Sequence, residues 1–166
     1  ESPTKVALLT ALYGESQQRD TLITATYDAA AFPWGTYQNN EEFVVFLQAR
    51  FESIGDQAKV LKVVGNIKDE AIKSFTDDGV TQSVVGKAGI SLAQDLVVPN
   101  PVVLSPFRTF PEVEQPASEF VLRLKPGHPL PQCALFEADG GAWANHAREN
   151  IRAFLAKKLP KLTILA

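Results

Sequence analysis

The chain has 166 residues, 45% of them apolar and 21% charged, with 16 Lys and Arg against 19 Asp and Glu. A net charge of -3 gives no basic footprint, so nucleic acid is not an expected partner. Its apolar runs fall short of the roughly 20 residues that a membrane helix needs. At this size a folded chain buries roughly 70% of the surface of its unfolded form, enough for a core without disulfides. The single cysteine, Cys133, agrees with that. No methionine occurs, and Glu1 leads almost directly into a strand-like run. The expectation is one α+β domain, residues 1 to 166, lacking an N-terminal portion of a longer protein.

Residues 5 to 13 and 21 to 27 are β-branched or apolar runs separated by a polar stretch, the pattern of a first β-hairpin. After Phe32-Pro33-Trp34-Gly35, Asn40 is the predicted cap of a helix with Glu41 and Glu42 in its first turn. Phe43, Phe46, Leu47, Phe51 and Ile54 share one face of it, and Gly55 closes it. Asp56 is the predicted cap of a second short helix carrying Val60, Leu61, Val64 and Ile67 and ending near Glu70. Runs 72 to 76 and 80 to 85 flank Asp77-Asp78-Gly79, a strong turn signal, and predict a second hairpin.

Prolines at 99, 101, 106, 111 and 116 deny the following segment a full hydrogen-bond ladder, which predicts an extended stretch at a sheet edge or across a surface. Phe120, Leu122 and Leu124 then alternate with Val121, Arg123 and Lys125, and residues 133 to 138 supply the partner strand of a third hairpin. Beyond Asp139-Gly140-Gly141 a helix carries Trp143, Ala147, Ile151, Phe154 and Leu155 on one face and Lys157 and Lys158 in its last turn. Residues 162 to 165 fit a short final strand. The predicted fold is α+β: a mostly antiparallel sheet built from three hairpins, with a two-helix insertion and a C-terminal helix packed on it.

Chemistry is harder to find. His128 and His146, the only histidines, sit in no metal-binding spacing, and Cys133 lies in a predicted strand without a neighbouring base. The run Gly86-Lys87-Ala88-Gly89 lacks the ending and the helix of a phosphate loop. No catalytic residue and no cofactor is assigned. Three weaker features remain. Arg108, Thr109, Glu112, Glu114 and Gln115 lie in the proline-stiffened segment, where alternate side chains can meet a ligand or a partner subunit and Arg108 can clamp a carboxylate or phosphate. Gly140 and Gly141 leave backbone N–H groups unshielded before Trp143, an approach open to an anion. Glu137 and Asp139 are candidate ligands for a hard divalent cation if a distant Glu112 or Glu114 completes the set. Arg148, Arg152, Lys157, Lys158 and Lys161 form a local basic face, read chiefly as a solvated helix surface.

The phrases VGNIKDE, DDGVTQ, PFRTFPEVEQP and ALFEADGGAW, with Asn100-Pro101-Val102, resemble phage and prophage proteins of the YfdQ type. The similarity spans nearly the whole chain and departs from coliform prophage members at the glycine-rich turn before the last helix. It implies a phage-encoded accessory protein in the cytoplasm of an infected bacterium, and it carries over no catalytic residue. The expected role is non-enzymatic binding or assembly as a homo-oligomer or with a host or phage protein. The alternatives are capture of a small anionic ligand such as a nucleotide, and a metal-dependent enzyme acting on nucleotides or nucleic acid.

Overall fold

A computed structural model of the chain describes residues 2–67, 75–77, 82–88, 91–98, 100–127 and 130–165. The elements follow the hydrophobic periods of the sequence. Strands β1 (Lys5–Leu9) and β2 (Thr21–Thr26) pair antiparallel, with a register shift between Leu8 and Leu9. A two-residue strand β3 (Gln38–Asn39) leads straight into helix α1 (Asn40–Arg50), followed by α2 (Gln57–Asn66). Strands β4 (Phe75–Asp77), β5 (Gln82–Ala88) and β6 (Ser91–Val98) form an antiparallel meander. Then come β7 (Val102–Leu104), β8 (Ser118–Lys125), β9 (Gln132–Glu137) and helix α3 (Trp143–Lys158).

The α+β expectation holds, with helices and antiparallel hairpins segregated along the chain. Its finer form changes: the three expected hairpins lie in three sheets, ordered β1-β2, β3-β9-β8-β7 and β4-β5-β6. Strand β6 is an addition: it pairs antiparallel with β5, with a register shift between Gly86 and Ala88. The turn at Asp78-Gly79 and His128 lie outside the described residues, and the second helix ends at Asn66, short of the expected end near Glu70. Residues 162 to 165 form no strand.

Two local corrections have clear causes. Asn39, one residue earlier than expected, caps α1 by accepting a 2.8 Å hydrogen bond from the Glu42 amide. Helix α1 stops at Arg50, because Phe51 turns out of it to bridge Pro106. Gly55 makes the following turn at φ +61, where a Cβ would stand 2.6 Å from the Val103 carbonyl oxygen, so only glycine fits. Asp56 makes no side-chain cap to α2; its carboxylate takes the Val103 amide at 3.0 Å and the Lys59 ammonium at 2.7 Å.

The chain divides into two compact units, each assembled from separate stretches. The sheet unit comprises Ala31–Pro106 and Ala117–Ala142. Its core stands on Phe43, Leu47 and Phe51, on Val60 and Val64 of α2, and on the inward positions Val102, Leu104, Phe120, Leu122 and Leu135. Trp34 stacks on Phe120 with ring centroids 5.0 Å apart, and Phe32 meets Phe51 edge-on at 5.2 Å. Proline confines β7 to the edge of its sheet, and Asn100 supplies what Pro101 cannot. Its side-chain amide donates to the Leu122 carbonyl oxygen at 3.1 Å and accepts from the Leu122 amide at 2.7 Å. The second, hairpin unit comprises Glu1–Ala30, Phe107–Pro116 and Trp143–Ala166.

Candidate functional site

The segment 107 to 116 is not the exposed strand expected from its prolines. It folds back through a turn at Pro111 and Glu112 and is held by one buried side chain, Gln115. The Gln115 Oε1 accepts from the amides of Arg108 and Thr109 at 3.0 and 3.2 Å. Its Nε2 faces the carbonyl oxygens of Phe110, Val113 and Thr109 at 3.1, 3.3 and 3.4 Å. A buried side-chain amide thus takes over the pairing that a strand neighbour would supply.

The same fold buries the other candidates of that segment. Thr109 is fully buried and its hydroxyl donates to the Pro3 carbonyl oxygen. Arg108 is only 8% exposed, with its guanidinium carbon 4.2 Å from the centroid of the Trp143 ring. Glu112 and Glu114 stay exposed, and the Glu114 carbonyl oxygen accepts from the Asn150 side chain of α3 at 3.0 Å. Arg108, Thr109, Gln115 and Trp143 therefore anchor the start of β1 and the first turns of α3 to one strap. They act as framework within the hairpin unit.

Gly140 and Gly141 are exposed with φ of +60 and +82, so the left-handed turn expected before α3 is present. The Gly141 amide donates to the Asp139 carboxylate at 3.0 Å, which puts the chain's own anion at that amide. Glu137 is exposed. Among the described residues no three His, Cys, Asp or Glu side chains converge, so no described carboxylate joins Glu137 and Asp139. Cys133 is buried, and burial pushes its thiol up to about 12, away from nucleophilic character. His146 lies exposed on α3.

The hairpin unit contains a feature of another kind. A groove of about 600 Å³ runs between β1 and α3, closed by the chain after the helix. Helix α3 contributes Arg148, Ile151, Arg152 and Leu155, the i, i+3, i+4 and i+7 positions of one stripe, and Leu159 follows directly after its end. The opposite wall is β1 and its continuation, including Val6, Leu8, Leu9 and Leu12. Its lining contains five cationic side chains, Lys5, Arg19, Arg148, Arg152 and Lys161, and no Asp or Glu. A cavity of this size falls in the range of small-molecule sites.

Sequence reasoning found Arg148, Arg152 and Lys161 as a basic face and missed Lys5, Arg19 and the groove itself. One signal was available. Apolar residues in β1 and beyond occupy both parities, Val6 and Leu8 but also Ala7, Leu9 and Ala11, whereas β8 alternates strictly. A strand flanked by apolar demand on both sides is not a simple half-buried strand. Comparison with protein-family models, curated proteins and solved structures gives no match for this chain.

Proposed function

We propose that the protein is a non-enzymatic binding protein, encoded by a phage or prophage and acting inside the infected bacterial cell, whose site is the groove between β1 and α3. The observation that carries the binding reading is the groove's composition: an apolar floor, five cations and no carboxylate in its lining. The phage origin and the cellular setting rest on the motif resemblance. An enzymatic role on nucleotides with metal at Glu137 and Asp139 has less support, because it needs a third ligand that no described residue supplies.

A second reading, assembly into a homo-oligomer, is favoured by β2. All six of its residues are exposed, none is charged or proline, and β1 is its one strand neighbour among the described residues. Such an edge lacks the usual guards against pairing with another copy. Native mass spectrometry of the gently purified protein separates the two readings. A retained small mass that disappears on denaturation supports capture, whereas a ligand-free oligomer supports assembly. A ligand-free monomer contradicts both.

A further inference from the structure

We infer that the groove takes a single-chain anionic amphiphile, an alkyl or acyl chain ending in a carboxylate or phosphate head. The inference rests on the binding reading above and adds the ligand's chemistry and direction. Direction follows from two anchors. Pro3 is tied to Thr109 and Trp143 to the adjacent Arg108, so the start of β1 lies beside the first turn of α3. Lys5 and Arg148 therefore belong to that end of the groove, and Arg152 stands one turn further along α3.

The other end is set by the hairpin. Leu9 pairs with Thr21 and the Thr10 amide donates to the Asp20 carbonyl oxygen, which places Arg19 beyond the far end of β1. Lys161 likewise lies past the last turn of α3. Between these ends the lining includes Leu8, Leu9, Ile151, Leu155 and Leu159, and Leu12 and Leu162 extend it at the far end. From Arg148 to its end at Lys158 the helix rises about 15 Å, close to an extended chain of about twelve carbons.

Charge decides the head. Lys5 and Arg148 at one end, with Arg152 one turn further along a groove whose lining holds no carboxylate, repel a cationic head and leave a neutral one without its best partners. Arg148 and Arg152, one helical turn apart, can each offer two parallel N–H donors to a carboxylate or phosphate. Arg148 already donates from Nε to the Ala144 carbonyl oxygen at 3.2 Å and from Nη2 to the Asn145 side-chain oxygen at 2.6 Å, so a head would be met by its end-on N–H donors. The aliphatic stems of the Arg and Lys side chains extend the apolar wall toward the charged heads.

Titration calorimetry on the full chain tests the inference with three probes of equal chain length: dodecanoate, dodecyl phosphate and dodecanol, each below its micelle or solubility limit. The expected result is saturable binding of both anions and binding of dodecanol at least about tenfold weaker. In the pair Arg148→Gln with Arg152→Gln the anion preference should vanish, while Lys157→Gln with Lys158→Gln should retain it. Equal binding of dodecanol overturns the anionic head and leaves the binding reading standing. Binding of vesicles containing anionic lipid, or of an acidic leucine-rich peptide, with none of the three probes bound overturns the amphiphile while the groove remains a binding site. No binding of any probe, vesicle or peptide, together with a ligand-free native mass spectrum, overturns both. The wild-type comparison of dodecanoate with dodecanol needs no variant to fold.

Discussion

The two units of this chain handle apolar surface in opposite ways. In the sheet unit, Phe43, Phe51, Phe120, Leu47, Leu104, Leu122 and Leu135 are essentially sealed from water. The hairpin unit buries Ala147 and Ile151 but exposes Leu22 and Ile23 at 60% and 62%, along with Leu8, Leu12, Leu159, Leu162 and Leu165. Scattered exposed leucines are ordinary, whereas in the hairpin unit several line one groove and others lie on a strand without charge or proline. The sheet unit holds most of the buried apolar side chains among the described residues, and the hairpin unit leaves more of its own exposed.

That contrast can be broken most forcefully at Phe51. Its ring contacts Phe32, Trp34 and Phe120, so Phe51→Ala should cost about 3–5 kcal/mol in urea unfolding. A cost below about 1 kcal/mol would mean that the sheet unit is not the stable core. Gln115 comes next. Gln115→Ala leaves the buried Arg108 and Thr109 amides without their acceptor and should cost about 1–3 kcal/mol, with the loss of probe binding at the groove that the strap supports.

Smaller effects sharpen the same comparison. Ile23→Ser, on the exposed strand β2, should change stability by less than about 0.5 kcal/mol while weakening any self-association seen by sedimentation. The smallest effect belongs to Asp56, whose carboxyl is held below its ordinary range by the Lys59 ammonium first and by the Val103 amide second. A lowered folded-state value contributes stability above the unfolded carboxylate range near 4, and that contribution is lost as pH falls through the folded value. The pair lies at the surface, with the Lys59 side chain 72% exposed, so Asp56→Asn should flatten the acid side of the stability curve only slightly.

Much of the architecture was legible because its signals are local. The strict alternation of β8, the phenylalanine spacing of α1 and the stripe on α3 each express one period; β8 and α3 formed where that period predicts them, and α1 formed over its first three turns. What escaped was decided by partners distant in sequence. Helix α1 ends early because Phe51 finds Pro106, and Asp56 abandons its helix for Val103. The prolines of 106 to 116 announced extended backbone, but Gln115 supplies the missing pairing from its side chain and pulls Arg108 and Thr109 inside. The groove was invisible for the same reason: Lys5 and Arg152 lie far apart in the chain and meet only in the folded hairpin unit.

The central claim is that binding belongs to the hairpin unit alone, and amide chemical-shift mapping with dodecanoate tests it most directly. The expected shifts cluster at Val6 to Leu9 of β1 and at Arg148 to Lys158 of α3, with the amides of β8 and β9 unmoved. Shifts centred on the sheet unit, or none in either unit at saturating dodecanoate, would contradict it.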